Sequence, residues 1–210
     1  MKKVKFIVFI CLFILLPLAY FNGFIRISDL TSEQESIAKK YGGVYVFDEK
    51  LEREIDRRQE ESDKYLDDFF KNNNRDFDLN DQTIMNEKLP RVLSNGKKYY
   101  VTTRDYGNDF KKQAWIPERY SDLIVNYIGD DYNKFKPSMS FIYFYVENNE
   151  IVPISLSVTY TYKVAKFGLY GDEASGIRFK EIYYSYVLSG NRFEFINNKF
   201  EKVSTSDKDK

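Results

Sequence analysis

Between Phe6 and Ile25 the chain carries no charged side chain, and its apolar run is interrupted only by Pro17, Asn22 and Gly23. As a helix rising about 1.5 Å per residue, this stretch spans roughly 30 Å, the hydrocarbon thickness of a bilayer. Lys2, Lys3 and Lys5 precede it, whereas Arg26 is soon followed by Asp29 and Glu33. That Lys/Arg bias keeps the N-terminus, residues 1–5, in the cytoplasm. The expectation is a single-pass transmembrane anchor over 6–25 in a bacterial inner membrane, N-terminus inside, with everything after it extracytoplasmic and periplasmic. The alternative is a signal peptide cleaved to release the chain into the periplasm. Its best cut, after Ala19, puts Pro17 where a small residue is wanted. Phe9 and Ile10 before Cys11 are likewise too bulky for a lipid-modified cysteine.

Residues 26–88 read as a helical membrane-proximal segment and an acidic linker. Thr31 and Ser32 offer N-caps with Gln34 and Glu35 three positions on, and Gly42-Gly43 stops the helix, which predicts 32–41. Val44 to Phe47 has strand composition. From Asp48 to about Lys71 runs a second helix, apolar at Leu51 and Ile55 and again at Tyr65, Leu66, Phe69 and Phe70, but charged from Asp56 to Lys64. Glu49/Arg53, Glu54/Arg58 and Glu60/Lys64 are acid-before-base pairs at i,i+4, suited to a wet face. This helix is expected to form a stalk between anchor and domain. Asn72-Asn73-Asn74 ends it, and a polar linker is expected to reach Lys88.

The α+β domain proper is expected over 89–203, followed by a polar tail, 204–210. A strand is predicted over Lys97–Arg104. Pro117 opens a helix in which Tyr120, Leu123, Ile124, Tyr127 and Ile128 recur at helical spacing before Gly129. Phe141 to Val146 is apolar at every position and suits a central strand, joined by Asn148-Asn149 as a hairpin turn. From Ile154 to Val164 every even position is apolar, a period of two that predicts one continuous strand with one buried face. Further strands are expected at 177–188, 192–196 and 199–203. The phase slip between Phe179 and Ile182 suggests a bulge or sheet edge. Short turns imply an antiparallel meander of about five or six strands in one sheet, with helices covering one face.

Composition narrows the chemistry. The chain has 210 residues, no His and one Cys, so His-based relays, His-ligated metals, internal disulfides and thiolate clusters are excluded. Lys plus Arg and Asp plus Glu each number 32. Setting aside the four basic residues before position 27 leaves the remainder with an acidic excess of four. No basic face is evident, so no nucleic-acid partner is expected.

Asp76, Asp78, Asn80 and Glu87 fall at positions 1, 3, 5 and 12 of an EF-hand-like loop, a candidate Ca²⁺ site. Asp81 stands where that loop wants Gly, and Pro90 interrupts the helix that would leave it. Adjacent acids such as Asp67/Asp68, Asp130/Asp131 and Asp172/Glu173 specify no facing pair. Gly168 to Gly176 lacks the Lys of a P-loop and reads as a hairpin loop. Tyrosines in the strands, with Trp115, supply a recognition surface, and Trp115, Tyr143, Tyr145, Tyr184 and Tyr186 are the candidate partner-binding residues.

Together these readings describe a membrane-anchored extracytoplasmic domain that binds an unidentified protein without catalysis or a required cofactor. An immunity-type inhibitor and an accessory subunit of an envelope complex are two forms of it. The alternatives are a carboxylate-dependent envelope enzyme and a ligand- or Ca²⁺-binding envelope protein.

Overall fold

The computed structural model describes residues 2–15, 17, 25–171, 174 and 176–203. It is an α+β protein with seven α-helices among these residues and two sheets, of three and six strands. Helix α1, Lys2–Ile10, runs into a π turn at Cys11–Leu15. Among the described residues no helix is long and apolar enough to cross a membrane. The expected span, 6–25, falls partly outside them.

Strand β1, Ile25–Ser28, comes next, then α2, Ser32–Tyr41. The capping box forms as expected: Thr31 Oγ1 accepts from the Gln34 amide at 3.2 Å, and Gln34 Oε1 accepts from the Thr31 amide at 3.0 Å. After β2, Gly43–Val46, comes α3, Glu49–Asn72, capped by Asp48. Helix α4, Leu79–Lys88, occupies the expected linker. It has no apolar stripe, but Asp78 and Asp81 supply a capping box at its start.

The expected strand at 97–104 shrinks to β3, Tyr99–Tyr100, because Thr102 caps helix α5, Thr103–Phe110. Helix α6, Glu118–Ile128, follows the periodicity that predicts it, and α7, Asp131–Lys134, is one further turn. Six more strands follow among the described residues: β4, Ser138–Glu147; β5, Glu150–Thr159; β6, Thr161–Tyr170; β7, Arg178–Tyr186; β8, Asn191–Ile196; β9, Lys199–Val203.

The larger sheet has the order β3-β4-β5-β2-β8-β9 and the smaller β1-β6-β7. Two expectations are corrected here. The alternating stretch 154–164 is not one strand: it breaks at Tyr160, with β5 in one sheet and β6 in the other. Nor is the topology a meander, because β2 inserts between β5 and β8 and runs parallel to β8. A strand from residues 26–88 thus lies inside the large sheet, between two strands from the part after 88.

That parallel contact has a backbone requirement. Gly43, at φ 142°, lies opposite Asn191, and a Cβ there would sit 2.1 Å from the Asn191 carbonyl oxygen. A residue without a side chain is what lets the strands approach.

Helices cover both faces of the large sheet, not one. Phe193 and Arg192 are neighbours on β8 and so point to opposite sides. Phe193 joins Tyr45, Leu156, Val158 and Phe200 in a core closed by Ile37, Ala38 and Tyr41 of α2 and Ile124 and Ile128 of α6. Arg192 instead reaches Glu52 of α3. On that side Ile55 packs with Leu93, Tyr99 and Ile154. The first half of α3 is thus part of the domain, not a stalk. Its middle is wet as expected, with Arg57, Gln59, Glu60, Glu61, Asp63 and Lys64 exposed, while the Glu54–Arg58 pair, 2.8 Å apart, is mostly covered.

β5, rather than β4, is the strand buried on both sides, with Ile154, Ser155 and Leu156 in succession out of water.

Candidate functional site

Helix α5 ends at Lys111, which takes the left-handed conformation (φ 54°) and turns the chain back along the sheet. Ala114 is then buried with Tyr100, Tyr106, Phe144 and Ile151. A side chain on the next residue faces the other way, and Trp115 is 68% exposed. Pro117 follows, fixing the start of α6 with its φ of −63°. Across from this loop is the β4–β5 turn, where Asn148 and Asn149 both have positive φ, as a two-residue hairpin of the primed type requires. Between the two lies an open groove of about 470 Å³ lined by Tyr106, Gln113, Trp115, Pro117, Arg119 and Asn149, among others. Arg119 spans it, 3.2 Å from Glu150 and stacked over the Tyr120 ring. Chemically this is a recognition groove: a projecting indole, a guanidinium and exposed amides, held by a buried aromatic cluster beneath.

A second groove of about 470 Å³ lies between α4, β3 and α5. Its charged groups are paired. Arg91 is 3.3 Å from Asp105, and Lys98 is 2.5 Å from Asp109, which also accepts from the Tyr100 hydroxyl at 2.9 Å. The hydrogen bond from Lys98 holds the Asp109 carboxyl below its ordinary value, with Tyr100 adding to it. A general acid needs the opposite shift. Tyr100 is pushed up, chiefly by burial and then by Asp109. Asp109 thus serves as the ion-pair partner of Lys98, and Asp105 as that of Arg91.

Of the candidate Ca²⁺ ligands, Asp78 is engaged as the cap of helix α4. Its Oδ1 accepts from the Asn80 amide at 2.8 Å and the Asp81 amide at 2.9 Å. Asp81 is gripped by the Arg75 guanidinium at 2.5 and 2.7 Å. Asn80 and Glu87 are on helix α4, so the loop that would wrap an ion from Asp76 to Glu87 is replaced by helix. Among the described residues no cluster of three or more Cys, Asp or Glu side chains is arranged to hold a metal ion.

The five candidate partner-binding aromatics do not converge. Tyr143 and Tyr145 are half-buried under α3, beside Ile55 and Tyr99, and burial raises their hydroxyl pKa values. Tyr184 and Tyr186 lie on β7, the edge of the small sheet, and are exposed. Trp115 belongs to the groove described above. Sequence reasoning does not single out Ile27 and Ile182, which are exposed on the same face as Tyr184; the phase slip at 179–182 marks Ile182 alone, and β7 is an edge of the small sheet. The glycine-rich segment at 168–176 connects β6 to β7 and lies partly outside the described residues.

No known family model matches the chain, and neither a curated protein nor a solved structure shows significant similarity to it.

Proposed function

We propose that the protein is a membrane-tethered, extracytoplasmic binding domain that engages another protein through the Trp115 groove and performs no catalysis. The observation that carries this is Trp115 itself, a large amphipathic side chain held mostly in water by a buried neighbour, Ala114, within a groove. Exposed Trp next to Arg is the composition of interface hot spots. The uncharged stretch 6–25 supplies the tether, and the basic residues before it set the orientation.

The groove is well placed for such work. It sits at the β4–β5 turn, one full strand from Thr159, where the chain passes to the small sheet. Ten residues of strand cover roughly 30 Å. A groove that far from the end joined to the tether is open to a protein approaching from outside. An immunity-type inhibitor of an incoming toxin and an accessory subunit of an envelope complex both fit this description.

The test is affinity capture of the full-length chain from detergent-solubilised membranes, run in parallel with Trp115→Ala and Arg119→Glu. A stoichiometric partner retained by the wild type and lost by both variants is expected. Recovery of the wild type alone, or a partner held equally by all three, contradicts the reading.

A further inference from the structure

The uncharged stretch ends at Ile25, and Ile25 is the first residue of β1. No spacer separates the proposed tether from the three-stranded sheet, so on the reading above this sheet is held at the bilayer surface.

Its register shows what it presents there. Ile27, Ala165 and Ile182 are aligned across the three strands, as are Lys163 with Tyr184 and Thr161 with Tyr186. Residues aligned across an antiparallel ladder share a face. On it Ile27, Ile182, Tyr184 and Tyr186 are all exposed, by 57–69%. The opposite face carries Val164, which is buried. The opposite face also exposes Phe179 and, in part, Tyr183, so what distinguishes the first face is its density of exposed apolar and aromatic side chains.

Two lysines and one acid lie on this face. The acid, Asp29, just past β1, sits opposite Lys163 and accepts from its backbone amide at 2.8 Å. The lysines are Lys163 and Lys180, their ammonium groups 5.8 Å from the Tyr184 ring centre and 5.7 Å from that of Phe167. Among the described residues of these strands the one acid, Glu181, is aligned with Lys166 on the other face. Tyrosines at headgroup depth with lysines reaching toward phosphate make up the usual membrane-interface set.

We propose that the β1–β6–β7 sheet rests on the outer leaflet, with Ile27, Ile182, Tyr184 and Tyr186 in the boundary between headgroups and acyl chains and Lys163 and Lys180 on anionic headgroups. This inference rests on the tether in the proposed function. It also explains an edge strand with an exposed apolar face, otherwise an aggregation hazard.

The full-length chain carrying Cys11→Ala is reconstituted into phosphatidylcholine–phosphatidylglycerol vesicles. An environment-sensitive fluorophore is attached at Ile182→Cys or Tyr184→Cys, and at Glu60→Cys on α3 as reference. An apolar face sinks roughly 5–10 Å into the interface, so nitroxide-labelled phospholipid is expected to quench the first two about twofold or more relative to the third. Lys163→Glu with Lys180→Glu is expected to remove that difference. Equal, weak quenching at all three positions in chains that still float with the vesicles overturns the sheet proposal and leaves the tether standing. Chains that do not float overturn both. Protection of 182 and 184 from water without lipid quenching, with disulfide-linked dimers through those cysteines, assigns the face to a second copy and also overturns the proposal.

Discussion

Arg192 and Glu52 meet across the sheet–helix boundary, with the guanidinium 2.6 Å from the carboxylate and both side chains almost wholly out of water. Glu194 accepts from the same guanidinium at 2.9 Å. One cation thus neutralises two carboxylates where α3 docks on β8. Desolvating three charges is costly, and the geometry offsets it only while the set is complete. Arg192→Met leaves two acids without their cation, and a loss of about 3–5 kcal/mol is expected. Replacing all three with apolar residues should recover most of it. Urea unfolding of the detergent-solubilised full-length chain measures both; a loss below about 1 kcal/mol for the single variant shows that the contact adds little.

The acid limb of stability should have a local component at α4. Hydrogen bonds from the Arg75 guanidinium hold the Asp81 carboxyl down at about 2, from an ordinary 3.8. Because the folded value is the lower one, this contribution is complete above the ordinary value and is lost as pH falls toward 2. Amide exchange in α4 should accelerate across that window, and Asp81→Asn should remove the dependence. Asp109 and Asp131 are also held low by their partners, so a global melt mixes several groups and a local probe is needed.

Gly43→Ala is expected to cost more than about 1 kcal/mol, because the native φ is unfavourable for any side chain and the added carbon meets the Asn191 carbonyl. Gly129→Ala, whose Cβ meets nothing, isolates the conformational part of that cost, since its φ is also positive. Thermal melts of the two variants check this; equal losses show that strand approach contributes nothing.

Trp115→Ala should change stability by less than about 0.5 kcal/mol, because the ring is mostly in water. Tyr106→Ala, which removes a ring from the cluster under the groove, should cost about 3–5 kcal/mol. Denaturant midpoints decide it. A large loss at Trp115 makes it a packing residue and withdraws its role in recognition.

Much of the local structure was legible because it is set by neighbours in sequence. Thr31 and Gln34 announce α2, Tyr120 through Ile128 mark α6, and Asn148-Asn149 closes a hairpin. What failed was long-range. The alternation through Tyr160 is identical whether one strand continues or two sheets share it, so periodicity could not show the break. The parallel pairing of β2 with β8 joins segments some 150 positions apart, and Val44 to Val46 carries no mark of its partner. Helix α4 escapes for a different reason: it has no apolar stripe, and Asp78, which caps it, also falls at an ion-loop position where Asp81 breaks the pattern. At the candidate site, Trp115 was found from residue type alone. Tyr143 and Tyr145 differ from Tyr184 and Tyr186 only in what covers them, which no local pattern encodes.

The proposed function requires the domain to lie across the membrane from the cytoplasm. Protease added to intact spheroplasts expressing the full-length chain tests that directly. Digestion of the domain, leaving a short N-terminal fragment in the membrane pellet, is the predicted result. Full-length chain that is protected from protease until the cells are lysed, and then found in the soluble fraction, contradicts it.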